Sequence, residues 1–271
     1  MLLPLLCALG VTGAAVTCWF LPVRNLWLIP IFAGLSVAYT AALIVFCLLL
    51  LLISSLFFPK RECPPKKNRA VFIIIREVCI AITQFLRIRV KAEGVDMVPD
   101  RPFLLLSNHR SNFDPIITIA VLRKHPMAFL TKEGNKKIPI AGPYIRMAGF
   151  LTIDWENPRN AVQTLRTTAR LIQRDKVSYG IYPEGTRNRT EEPLLPFHDG
   201  VLMAARKANV PVVVVGMKNT ADITHRFPLH STEVPFRVLG VYGTDEVLSR
   251  RDSDLGAEIR GLMLSFLEEN A

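Results

Sequence analysis

A chain of 271 residues can hold one large domain and an accessory segment, and 50% of its residues are hydrophobic. The apolar residues are unevenly spread: the first 59 carry a single charge, Arg24, so the remainder hold 32 Lys and Arg against 23 Asp and Glu, a net +9. An apolar N-terminus joined to a basic domain points to anionic headgroups or phosphorylated substrates and away from nucleic acid, for which no aromatic-basic recognition motif is present.

In chain order, Leu2 to Leu21 is uncharged and long enough to span a bilayer core. Pro22-Val23-Arg24-Asn25 interrupts it, and Asn25 to Pro59 is uncharged throughout. A signal peptide is the competing reading of the first run, but it lacks a basic leading segment and a second apolar run follows directly. Two helices forming a membrane-anchoring hairpin over 1–59 are therefore expected, with a catalytic domain over 60–271. Lys60, Arg61, Lys66, Lys67 and Arg69 follow at once and place that domain on the cytoplasmic face. A bacterial cell membrane is the first expectation and the endoplasmic reticulum the second. Five cysteines, Cys7, Cys18, Cys47, Cys63 and Cys79, form no C-x-x-C pair and read as small hydrophobes in a reducing compartment.

Ala70 to Leu86 is apolar on most sides and reads as an interfacial helix. From there strand and helix signals alternate. Ile88–Lys91, Phe103–Ser107 and Met127–Thr131 read as strands, and Pro115–Leu122 as a helix. Asn157-Pro158 opens a helix by cap-then-proline chemistry, with Val162, Leu165, Ala169 and Ile172 on its apolar face. Val177–Tyr182 and Val210–Val215 are continuous apolar strands of the kind covered on both faces. Between them Val201–Ala208 is helical, ending at Asn209. Phe236–Val241 is a further strand, and Leu255, Ile259, Leu262 and Phe266 mark a terminal amphipathic helix. This alternation predicts an α/β fold, a mostly parallel or mixed sheet flanked by helices.

The sharpest chemical element is Asn108-His109-Arg110-Ser111-Asn112-Phe113-Asp114, which leaves one predicted strand and enters the helix at Pro115. Strand ends are where α/β folds expose reactive groups. His109 there can act as general base, and Asp114, five residues on, can turn back to hold its other ring nitrogen. The plainer reading makes Asp114 a helix N-cap and His109 a loop residue. A second element, Tyr182-Pro183-Glu184-Gly185-Thr186-Arg187, also follows a strand. Gly185 allows close backbone approach, Thr186 offers a hydroxyl, and Arg187 can grip a phosphate with two prongs. Alone, it reads equally as a turn with a surface arginine. Lys132, in Thr131-Lys132-Glu133, ends another strand. His109 and Asp114 lack companion ligands at metal spacing, so no metal is expected.

Together these segments resemble the 1-acylglycerol-3-phosphate O-acyltransferases of the glycerolipid acyltransferase superfamily, over roughly Val90 to Tyr242. That family's N-H-x-S-x-x-D motif is matched by Asn108, His109, Ser111 and Asp114. Its F-P-E-G-T-R-S motif appears as Tyr182 to Asn188, with tyrosine leading. The resemblance implies that His109 is the base and Asp114 its orienting partner, with Glu184, Gly185, Thr186 and Arg187 in the acceptor site and Lys132 near the acceptor phosphate. It implies transfer of an acyl group from acyl-CoA or acyl carrier protein to the sn-2 hydroxyl of lysophosphatidate, giving phosphatidic acid, with no cofactor and with membrane lipids as partners. Glycerol-3-phosphate or another lysolipid is the alternative acceptor.

Three departures stand out. The family's F-I-D-R appears as Gly149-Phe150-Leu151-Thr152-Ile153-Asp154-Trp155, with tryptophan in place of the arginine, so Arg146 and Arg159 become alternative phosphate contacts. His198, in Pro196-Phe197-His198-Asp199-Gly200, replaces a lysine common in relatives. The V-P-V-x-P-V pattern keeps Pro211 but has Val214 for its second proline. Two rival functions stay open. A membrane-anchored hydrolase lacks a G-x-S-x-G elbow here, and a non-catalytic lipid-binding scaffold is disfavoured by the complete first motif.

Overall fold

The computed structural model describes residues 2–21, 27–58, 68–198 and 200–269. The chain separates into two compact units, 1–59 and 60–271. In the first, α1 (Leu2–Phe20) and α2 (Leu28–Leu56) pack on each other. They approach closely at Gly10, where a β-carbon would stand 2.1 Å from Thr40 Oγ1. The Thr17 and Tyr39 hydroxyls add a 2.9 Å hydrogen bond across the pair. Small residues at the contact and a shared hydroxyl pair suit helices in lipid, where apolar burial alone gives little drive to associate. Both helices are long and apolar enough to cross a membrane. The expected break at Pro22–Asn25, Cys63 and the cations Lys60, Arg61, Lys66 and Lys67 lie outside the described residues; Arg69 opens the next helix.

The second unit begins with α3 (Arg69–Phe85), capped by Asn68, whose side chain accepts from the Ala70 N–H at 3.0 Å. Its strands are β1 (Ile88–Glu93), β2 (Leu104–Ser107), β3 (Met127–Thr131), β4 (Leu151–Thr152), β5 (Ser178–Ile181), β6 (Val212–Met217) and β7 (Thr232–Tyr242). Its helices are α4 (Asp114–Val121), α5 (Ala141–Met147), α6 (Pro158–Asp175), α7 (Met203–Ala208), α8 (Ile223–Arg226), α9 (Thr244–Ser249) and α10 (Asp252–Glu268). The seven strands form one mixed sheet in the order β1-β7-β6-β2-β5-β3-β4, parallel except where β7 meets β6.

β2, β5 and β6 are buried at every position, as continuous apolar strands covered on both faces should be. α3 packs on α4 and α5, α6 on α7, and α10 on β6 and β7. Two glycines set the spacing. A β-carbon at Gly180 would meet the Phe129 ring at 2.1 Å, and one at Gly216 would meet the Phe266 ring at 2.3 Å. The Asn157 cap holds as expected, accepting from the Asn160 N–H at 3.3 Å, and Asn209 closes α7 in the left-handed region.

The structure corrects the sequence reading in four places. β7 starts at Thr232, four residues early, because Thr-Glu-Val-Pro pairs with β1 despite its mixed polarity. β6 runs Val212–Met217 instead of Val210–Val215, since Pro211 contributes only its carbonyl, to Leu104 N–H at 3.0 Å. In α10 the buried stripe passes through Met263, leaving Leu262 partly exposed. The short elements α5, α8, α9 and β4 carry no periodicity long enough to announce them.

Candidate active site

Because β2, β3, β4, β5 and β6 run parallel, their carboxyl ends share one edge of the sheet. The segments that leave there are Asn108–Phe113, Lys132, Asp154–Trp155 and Tyr182–Arg187, so the topology gathers at one edge what the sequence scatters over eighty residues.

The Asn108 side chain lengthens the β2–β6 ladder by one rung. Its amide donates to Met217 O at 2.9 Å and accepts from Met217 N–H at 2.8 Å. His109 then has its main chain held on both sides. Its N–H donates to Glu184 Oε1 at 2.6 Å, and its carbonyl accepts from Asn188 N–H at 2.7 Å. The second Glu184 oxygen accepts from Leu195 N–H at 3.0 Å. Glu184 is thus a buried brace beneath the histidine, only 4% exposed. Burial raises its pKa above the usual carboxylate range, opposed by the Leu195 and His109 N–H groups.

The His109 ring is fixed as firmly. Nδ1 lies 2.7 Å from Asp114 Oδ2, and that oxygen also accepts the N–H groups of Arg110 and Ser111, each at 2.8 Å. Asp114 is therefore not the N-cap of α4. Phe113 occupies that position, and the carboxylate at the first helical residue folds back over the loop. The Tyr182 ring stacks on the imidazole, centroids 4.0 Å apart and planes 13° from parallel. Phe129 in turn stacks on Tyr182 at 5.8 Å. With the Asp114 side chain almost wholly buried and that of His109 17% exposed, the arrangement is a rigid histidine with one ring nitrogen assigned to a carboxylate. An ionised carboxylate fixes the proton on Nδ1 and leaves Nε2 to accept one.

Around the dyad, Lys132 Nζ stands 3.4 Å from Thr186 Oγ1, so the strand-end lysine and the Gly185 turn are brought together. Gly185 adopts φ +67°, which favours glycine. A β-carbon there would also strike His198 Nε2 at 2.4 Å and Trp155 Cδ1 at 2.9 Å. These two rings stack on each other, centroids 4.6 Å apart and planes 11° from parallel. Two of the positions that depart from the resembled pattern are therefore one structural unit lying against the glycine. Arg187 is half-buried, Arg159 is exposed in the first turn of α6, and Arg146 donates to Lys136 O at 2.6 Å. The Gly185 N–H is taken by Tyr182 O at 3.0 Å. Among the described residues no acceptor takes the N–H of Thr186 or Arg187. Sequence reasoning missed the main-chain bracing by Asn108 and Glu184, the Tyr182 stack and the Trp155–His198 pair. Nothing in the spacing of these residues signals such contacts.

Residues 89–218 match the family model described as Acyltransferase. The 1-acyl-sn-glycerol-3-phosphate acyltransferase of Saccharomyces cerevisiae is 23% identical over 207 residues, covering 75% of this chain and 68% of that protein. The enzyme of the same name from Salmonella typhimurium is 30% identical over 165 residues, covering 59% of this chain and 64% of the relative. The match thus spans about two thirds of the length of each relative. The crystal structure of the 1-acyl-sn-glycerophosphate (LPA) acyltransferase, PlsC, from Thermotoga maritima shares the fold, with a TM-score of 0.64 and 24% identity over 83% of this chain and 88% of that one. The sheet, the histidine–carboxylate edge and the matched domain define an acyltransferase. Within that class the chain is similar to the 1-acylglycerol-3-phosphate acyltransferases.

Proposed function

We propose that this chain acylates the sn-2 hydroxyl of 1-acylglycerol-3-phosphate, using a fatty acyl thioester of coenzyme A or acyl carrier protein and releasing phosphatidic acid. The observation that carries the reading is the 2.7 Å His109–Asp114 contact at the carboxyl edge of the sheet. His109 Nε2 takes the proton of the glycerol hydroxyl as its oxygen attacks the thioester carbon, and Asp114 stabilises the imidazolium. The tetrahedral intermediate collapses, the C–S bond breaks, and the departing thiolate takes the proton back from His109. The oxyanion is received by main-chain N–H groups just after Gly185, those of Thr186 and Arg187. Lys132 and Arg187 receive the acceptor phosphate, Arg187 by paired hydrogen bonds. No resident cofactor or metal takes part. The α1–α2 hairpin anchors the enzyme in the membrane where its insoluble acceptor resides, with the domain on the cytoplasmic face of a bacterial cell.

One observation favours a second acceptor. The Trp155–His198 stack takes up two positions where the resembled pattern carries cations, so this wall offers aromatic surface instead of positive charge. Glycerol-3-phosphate or another lysolipid is then the alternative. The test is full-length protein in anionic vesicles given labelled acyl-CoA or acyl carrier protein and a panel of lysophosphatidate, glycerol-3-phosphate and neutral monoacylglycerol. Labelled phosphatidic acid is expected, and is absent with His109→Ala. Thioester hydrolysis without lipid product refutes transfer, and faster use of another acceptor replaces lysophosphatidate by that lipid.

A further inference from the structure

Two buried polar atoms at the site lack partners among the described residues, and they are complementary. Asp114 Oδ1 can only accept while the carboxylate is ionised, whereas the Tyr182 hydroxyl has a proton to donate. Asp114 Oδ2 is saturated by three donors, so the carboxylate is half solvated by the protein and half bare. A bare buried carboxylate oxygen is costly, and such a complementary pair is the signature of a single bridging water.

Tyr182 is well placed to serve it. Its ring lies face to face with the imidazole that Asp114 holds, so phenol and carboxylate flank the same ring. The stack itself needs no hydroxyl, since phenylalanine would stack equally well. Burial, then the nearby Asp114 charge, hold the phenol pKa well above its usual range, with the Thr118 hydroxyl opposing. Tyr182 is therefore a neutral donor across the working pH range. Thr118, whose hydroxyl also faces Tyr182, already donates its own proton to the Asp114 main-chain carbonyl at 2.8 Å and has none left for Oδ1.

We infer that Tyr182 is a positioning residue for the dyad, its hydroxyl donating to Asp114 Oδ1 through one buried water and so setting how strongly Asp114 holds a proton on His109. This rests on the dyad reading above and deepens it. The charged and titratable groups around the trio come from several elements. Glu184 lies beneath the His109 main chain, and Arg110 directs its guanidinium to Thr190 O and Glu192 O. Lys132 and His198 lie beyond, around Thr186 and Gly185. From β6 the neighbouring contact is the uncharged Asn108–Met217 pair.

A hydrogen bond given to a carboxylate disperses its negative charge. Removing it leaves Asp114 more basic and the imidazolium better held. Tyr182→Phe keeps the stack and deletes only the hydroxyl. The titration midpoint of the His109 ring, followed by NMR on selectively labelled protein, should therefore rise by roughly half a pH unit or more. The shift follows because a hydrogen bond to a charged group is stronger than one to a neutral group, and part of its loss is felt at the imidazole. The acid limb of the pH–rate profile should move upward by the same amount. Replacing Tyr182 by 3-fluorotyrosine, whose phenol is a stronger donor, should move both in the opposite direction, and covers the case in which Tyr182→Phe folds poorly. Midpoints unchanged from wild type, or shifted in the reverse sense, overturn the inference and leave the hydroxyl to Thr118 alone. The NMR readout needs no turnover, so it stands whichever lipid is the acceptor. Full activity in His109→Ala would instead defeat the dyad reading itself.

Discussion

Asp114→Asn separates charge from geometry at this site. The Arg110 and Ser111 N–H groups, each 2.8 Å from Oδ2, select the amide oxygen for that position, so the loop and the Nδ1 hydrogen bond survive. The amide NH2 then falls where Oδ1 was, a position with no hydrogen-bond partner among the described residues. What disappears is the negative charge facing the imidazolium. For unit charges centred about 4 Å apart, an effective dielectric near 20 gives about 4 kcal/mol. A neutral hydrogen bond restores about 1 kcal/mol of this, leaving about 3 kcal/mol, or about 10²-fold in kcat. Acceptor KM should change little, because the charge matters only once the proton has moved. The assay is transfer of labelled acyl groups to lysophosphatidate in vesicles, with thermal unfolding measured alongside. A variant that melts like wild type yet turns over within fivefold of it would show that Asp114 does not stabilise an imidazolium. Asp114→Ala also deletes the loop anchor and should cost both stability and rate.

Three further outcomes follow from the same geometry. Gly185→Ala should reduce turnover well beyond the roughly 1–2 kcal/mol of a left-handed alanine, because the new methyl must displace His198 and Trp155; loss of the Trp155 fluorescence signature in the variant would register that displacement. Glu184→Gln presents an NH2 to one of two main-chain N–H groups, so it should lower unfolding stability by about 1–3 kcal/mol and slow transfer; an unchanged denaturation midpoint contradicts the bracing role. Arg187→Ala should weaken acceptor use by about 1.5–3 kcal/mol and erase most of the preference for lysophosphatidate over monoacylglycerol, with Arg187→Lys intermediate; an unchanged preference ratio moves phosphate recognition to Arg159 or Arg146.

The central sheet was legible because β2 and β6 are runs of apolar residues without alternation, the pattern of strands covered on both faces. The Asn157-Pro158 start of α6 and the Asn209 end of α7 were equally plain, since each rests on a local backbone requirement. α5 was not. It begins after Ile140 at φ +64° and contains Gly142 and Pro143, all of which read as breakers. Its helix is set by tertiary contact: a β-carbon at Gly142 would lie 2.2 Å from the Lys136 carbonyl, which also accepts from Arg146. The early half of β7 was hidden for a related reason, its pairing with β1 coming from a strand more than 130 residues away.

At the site, legibility follows the length of chain over which each contact closes. His109 and Asp114 are five residues apart, so a sequence can suggest their contact before any fold is known. Glu184 touches His109 across 75 residues, and its motif reads as a surface turn, yet its carboxylate faces inward. Trp155 and His198 lie 43 residues apart and each alone reads as the loss of a cation. Together they are a stack against Gly185, and neither ring would pack the same way with the other position cationic. The two departures are therefore one change in the chemistry of this wall, from charge to aromatic surface. That coupling explains how the chain can retain His109, Asp114, Gly185 and Arg187 while losing two expected cations. The loss alters what the wall offers an acceptor and leaves the dyad's own contacts, to Arg110, Ser111 and Tyr182, untouched.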